Sequence, residues 1–236
     1  TATRKVQDGF GNNTSCSLSD DVLSVQPVND NTTGTMIVKN SGGSNILSVD
    51  TTNSKVLTGA SQVAANTQYA YFGSDSNEQV SYLANTHYFI PFSANALAVP
   101  QDHDLGTGTD PDTTKTISST ADNLVNGLWY LPDNITVDAV HWWSGADAGT
   151  GDTIRAHLMS YAIDTGNGST GGDLSGGVVV ADGADITNAG YEQAYYQSMT
   201  IQSADVDAGR IVLFTLRMDS VNSDYAINAT VKYHIR

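Results

Sequence analysis

The run YAINATVKYHIR, residues 225–236, decides the fold class. Apolar and polar side chains alternate along it, and a period of two residues marks a β-strand with one face on a core and the other in water. Tyr225, Ile227, Ala229, Val231, Tyr233 and Ile235 are therefore expected inside, with Asn228, Thr230, Lys232 and His234 outside. Upstream, IVLFTLRM (211–218) is almost continuously apolar, as a central strand covered on both faces would be. TIRAHLMSYAI (153–163) alternates loosely. LWYLPDNITVDAVHWW (128–143) offers two strands about the turn Pro132-Asp133-Asn134, while YLANTHYFIPF (82–92) and ALAV (96–99) run into prolines.

Composition agrees with this reading. The chain of 236 residues is poor in charge and rich in turn formers, and of its 25 acidic residues only Glu78 and Glu192 are Glu. With Glu, Lys and Arg all scarce, long solvent-facing helices are not expected. The expectation for residues 66–236 is a jelly-roll-like β-sandwich head of seven or eight strands, joined by Gly/Asp-rich loops and without a helix. A net charge of −15 argues against nucleic acid and anionic membrane as partners, since both need a basic footprint. No apolar run approaches the length of a membrane span, and the first residues, TATRKVQDGFGNN, do not read as a secretory signal.

Charge also divides the chain. The first 60 residues carry four basic residues against five Asp, whereas the remainder carries six against 20 acidic ones. Residues 1–65 are accordingly read as a separate attachment and trimerisation segment. Within it LSV recurs at Leu23 and Leu47, each time followed by a polar turn and a further strand. A strand-like run of four residues, such as LSVD or SKVL, shows too little apolar surface to make a core alone. The expected cover for Leu23, Val25, Leu47, Val49, Val56 and Leu57 is the same segment of neighbouring copies, three chains sharing one prism-like core. The lone Cys16 cannot close an intrachain disulfide, so packing, oligomerisation or ions must hold the fold.

The stretch IVKNSGGSNILSVDTTNSKVLTG (37–59), a strand, a Gly-Ser turn and then L-S-V-D-x-x-N-x-K-V, resembles the short β repeats of fibre, spike and decoration proteins of tailed bacteriophages. The resemblance implies a homotrimer in which a slender β-rich stem bears a compact sandwich head, located on the outer surface of the virion. It transfers no catalytic residue. The length, short for a tail fibre, points to a capsid decoration (cement) or head-fibre protein bound to the major capsid protein, with residues 1–22 as the contacting arm and Arg4 and Lys5 as its candidate contacts. The alternatives are a receptor-binding tail-fibre tip that recognises a host surface glycan, and a secreted carbohydrate-binding module.

Candidate chemistry is sparse. His87, His103, His141, His157 and His234 form neither HxH nor HExxH, and no nucleophile elbow or P-loop is present, so no enzyme is expected. Trp129, Trp142 and Trp143, with Tyr130, are the candidate platform for sugar rings, although strand alternation sends Trp142 and Trp143 to opposite faces. Residues 59–80 read as a connector whose Tyr69, Tyr71 and Phe72 anchor stem to head. The loops GTGTDPDTT (106–114), SGADAGTGD (144–152) and DTGNGSTGGD (164–173) gather carboxylates that could hold Ca2+. Asp147 and Asp152, which close one short glycine loop, are the candidate pair.

Overall fold

The computed structural model describes residues 4–29, 33–59, 61, 63–75, 83–93, 104–117, 121–146, 150–166, 168–190, 193–221 and 225–236, with backbone alone for 121–123. The protein is all-β, and the chain divides into two compact units, Thr1–Thr67 and Gln68–Arg236.

The N-terminal unit holds two small antiparallel sheets. Strands β1 (Arg4–Gln7), β2 (Asn13–Leu18) and β3 (Leu23–Val25) form one; β4 (Met36–Lys39), β5 (Asn45–Asp50), β6 (Lys55–Thr58) and β7 (Val63–Ala64) form the other. The two LSV copies are thus not equivalent: the first is the edge of one sheet, the second lies inside the other. The TTN step becomes the β5–β6 turn, where Ser54 takes a positive φ of 54°. The Asp50 carboxylate accepts the Asn53 side-chain amide at 2.8 Å and the Asn53 backbone N–H at 3.0 Å. These hydrogen bonds, led by the Asn53 side chain, hold its pKa below the ordinary Asp value.

The larger unit is a β-sandwich built from β8 (Thr67–Ser74), β9 (His87–Ile90), β10 (Trp129–Tyr130), β11 (Ile135–Ala146), β12 (Thr153–Ile163), β13 (Leu174–Asp182), β14 (Ile186–Thr187), β15 (Gln193–Ser198), β16 (Thr200–Ile201), β17 (Asp205–Val206), β18 (Arg210–Met218) and β19 (Tyr225–Ile235). The front sheet runs β15-β11-β19-β8, with β17 beside β11. The back sheet runs β10-β18-β12-β13-β16, with β9 beside β18 and β14 beside β12. Between them pack Phe72, Val140, Trp142, Leu158, Phe214, Ala229 and Val231. The strand count exceeds seven or eight because the loops add short strands to the long ones.

β18 is central, as its apolar run demands. Val212, Phe214 and Leu216 face the sandwich interior, while Ile211 and Leu213 join a second apolar cluster with Phe89, Met159, Tyr161, Leu105, Ile117 and Leu124. That second cluster needs its own cover. Residues 104–117 and a short helix, α1 (Ala121–Gly127), supply it, contrary to the helix-free expectation. The cover is tied down by backbone pairs between Leu105 and His87, and between Lys115 and Leu174, and by Tyr161 Oη, which donates to the Asp112 carbonyl at 2.8 Å. Burial raises the Tyr161 pKa above its ordinary value. The chain passes so close here that a Cβ on Gly177 would lie 2.6 Å from the Tyr161 ring and 2.8 Å from Thr113 Cα, which is why glycine stands at 177.

Alternation along β19 holds from Tyr225 to Val231 and then fails. His234 is buried and Ile235 exposed. The opposing strand carries a bulge at Asp138, where the register jumps from Val137↔Tyr233 to Ala139↔Lys232. The bulge aims Asp138 at His234, whose Nδ1 lies 3.0 Å from both carboxylate oxygens, so a polar side chain is buried with a partner. Residues 67–74 are likewise a sandwich strand rather than a connector. Phe72 is fully buried, and Tyr69 and Tyr71 are exposed. The segment ALAV lies outside the described residues.

Candidate functional site

Among the described residues three places stand out: an apolar sheet face in the N-terminal unit, an aromatic patch on the front sheet, and a carboxylate–histidine cluster on the back sheet.

Directly paired residues of antiparallel strands share a face. In the β4-β5-β6-β7 sheet the pairs Met36↔Val49, Val38↔Leu47, Val49↔Val56 and Thr58↔Val63 therefore place Met36, Val38, Leu47, Val49, Val56 and Val63 on one side. Met36, Val38, Val56 and Val63 are exposed. Leu57 pairs with Ser48 and belongs to the opposite face, so it does not join the Leu47, Val49 and Val56 set expected from sequence. Leu23 and Val25 lie in the other sheet, where Leu23 pairs with Leu18. Among the described residues of this unit no apolar side chain is fully buried; the buried ones are Ser17, Ser48 and Asp50.

Within the segment expected to contact the capsid, β1 and β2 are paired strands. Arg4 pairs with Leu18 and Lys5 with Ser17, so these two exposed cations point to opposite faces of the sheet. A flat partner surface can meet only one of them squarely.

The three tryptophans do not assemble. Trp142 is fully buried and Trp129 lies in the core against Phe92, with rings 5.9 Å apart and nearly parallel. Trp143 alone is half exposed, at 50 %. It sits opposite Tyr196 of β15, ring centres 5.1 Å apart, and Tyr196 in turn stacks on His141 and meets its Nδ1 through the hydroxyl at 2.8 Å. Beside Trp143 lies a shallow depression of about 250 Å³ floored by the small residues Gly145, Ala194 and Ala226 and rimmed by Asp75 and Asn228. Tyr196, which sequence reading missed, follows from the alternation of QAYYQS (193–198) once its pairing with β11 is known.

On the back sheet, His157 of β12 is completely buried. Its Nε2 lies 3.2 Å from Asp182 Oδ1 of β13 and 3.4 Å from Asp110 Oδ1 of the covering segment. Arg155 clamps Asp182 through Nη2 at 2.7 and 2.9 Å and Nε at 3.1 Å. Asp185 stands 3.6 Å from the same guanidinium. Burial, reinforced by the neighbouring His87 ring 5.1 Å away, pushes the His157 pKa down to about 4. Burial lowers the His87 pKa too, against the Gly108 carbonyl that its Nε2 meets at 3.0 Å. Of the calcium candidates, Asp147 lies outside the described residues, and the Asp152 carboxylate accepts the Ser220 hydroxyl at 2.7 Å.

No family model and no curated protein matches the chain. Among solved structures it is similar to a Clostridium thermocellum endo-1,4-beta-D-xylanase, determined as CBM22 and GH10 modules complexed with xylohexaose, at 15 % identity and a TM-score of 0.23. The match covers 46 % of this chain and 17 % of that one.

Proposed function

We propose that this chain is a non-enzymatic virion protein of the tailed-phage kind: a homotrimer whose N-terminal unit provides assembly and attachment, and whose acidic β-sandwich projects outward as a capsid decoration or head-fibre head. The observation that carries the reading is the open apolar face of Met36, Val38, Leu47, Val49, Val56 and Val63 in a unit with no fully buried apolar side chain among its described residues. Such a face in water costs about 25 cal/mol for each Å² left uncovered, and equivalent faces from neighbouring copies are its simplest cover. The acidic surplus of the sandwich keeps heads apart while the near-neutral unit associates. Binding to the major capsid protein would stabilise the shell by adding its free energy to that of the subunit contacts.

Light scattering tests this. The full chain is expected to have the mass of three copies, and a chain starting at Asn66, which keeps all of β8, the mass of one. A full-length monomer sinks the proposal.

A second reading rests on Trp143. A half-exposed indole beside a shallow hollow, with Tyr196 at its flank, suits stacking on a sugar ring. Under this reading the head recognises a glycan, and Trp143→Ala abolishes retention of the protein on the polysaccharide in affinity electrophoresis while leaving the fold intact. Equal retention of the variant and the parent removes Trp143 from any such site.

A further inference from the structure

His157 Nε2 sits within 3.2–3.4 Å of two carboxylate oxygens and yet makes no hydrogen bond to either, and among the described residues neither ring nitrogen has a partner. A fully buried ring nitrogen this near to two carboxylate oxygens and hydrogen-bonded to neither is an arrangement that calls for a cation. The three donor atoms lie within 4.8 Å of one another. In a tetrahedral site with zinc–nitrogen and zinc–oxygen bonds of about 2.0–2.2 Å, neighbouring ligand atoms stand roughly 3.3–3.5 Å apart, close to the two separations found. The donors come from three different segments: the covering segment, β12 and β13.

We infer that Asp110, His157 and Asp182 form a binding site for a divalent transition-metal ion of the zinc class, which staples residues 104–117 to strands β12 and β13. Asp182 is held in place for this by Arg155 and by Gln202, which donates to its Oδ2 at 3.3 Å. Charge favours the ion as well. The Arg155 guanidinium pairs with Asp182 and Asp185, and the Asp110 carboxylate beside His157 brings a third negative charge, so the carboxylates outnumber the one guanidinium. One imidazole and two carboxylate oxygens suit zinc better than calcium, which takes six to eight oxygen ligands. Water completes the fourth position on the side of half-exposed Asp110. This site is independent of the trimer and of the Trp143 patch.

The test uses the full chain, stripped of metal by a chelator and titrated with ZnCl2 in a calorimeter and with CoCl2 in a spectrophotometer. One zinc per chain is expected, along with the intense visible absorption of tetrahedral Co2+ and a rise in melting temperature that grows with zinc concentration. Because replacing buried His157 threatens the fold itself, the decisive variant is Asp110→Asn. It is expected to keep the circular dichroism spectrum and to lose at least about a hundredfold in affinity, beyond the ten- to hundredfold that loss of a supporting partner costs. Asp112→Asn, a carboxylate of the same loop outside the cluster, should bind as the parent does. Absence of zinc binding, an Asp110→Asn variant that binds like the parent, an octahedral Co2+ spectrum, or calcium binding in place of zinc would each overturn the site.

Discussion

Phe214→Ala is expected to lower the unfolding free energy of the sandwich by about 3–5 kcal/mol, the range for truncating a fully buried aromatic. Phe214 lies on the central strand of the back sheet with no exposed surface. Its ring stands 5.9 Å from Phe72 of β8 and 6.3 Å from Trp142 of β11, so it joins the back sheet to two strands of the front sheet. The hole left by the ring cannot collapse easily, because these neighbours are themselves fixed by the backbone ladders of two sheets. Such a loss is a large part of the stability of an ordinary domain. Urea unfolding followed by tryptophan fluorescence measures it. A midpoint within error of the parent would show that Phe214 does not join the two sheets.

Arg155→Met is the second large effect, expected at about 2–3 kcal/mol. The guanidinium makes three hydrogen bonds to Asp182, both groups are mostly buried, and Asp110 and Asp185 lie close by. Removing the cation leaves the largely covered Asp182 without its partner, next to the half-exposed carboxylates of Asp110 and Asp185. The companion Arg155→Met/Asp182→Leu variant should recover much of the loss, because the stranded charge is then gone. Equal destabilisation in the single and double variants would mean that the aliphatic stem of Arg155, rather than its charge, matters.

The strands were legible in the sequence wherever one physical signal dominated. A period of two marked β19, a continuous apolar run marked β18, and both lie where those patterns placed them. The opposite faces of Trp142 and Trp143 followed from the same alternation, and one is buried while the other is half exposed. Where a strand is bent, the signal broke. His234 is buried with Asp138, the bulged residue of the opposing strand, as its partner, and nothing in YAINATVKYHIR shows what that strand will do at this point.

The candidate sites were less legible, because each joins segments that are distant in sequence. Asp110, His157 and Asp182 satisfy no metal-binding spacing. They meet because β13 pairs with β12 and because the covering segment runs across the sheet to shield Met159, Tyr161 and Leu213. Leu57 and Val56, adjacent in sequence, were expected in one core, yet cross-strand pairing puts them on opposite faces of the sheet.

The sequence by itself determined that the chain is all-β and where the long strands β11, β12, β18 and β19 lie, because alternation and composition act locally; it did not show β13, and it read β8 as a connector. The tertiary structure alone decided which strands are neighbours, that the back sheet needs a second apolar cover, and which carboxylates converge on His157. Those outcomes depend on pairing register and on burying the remaining apolar faces, which are properties of the whole chain.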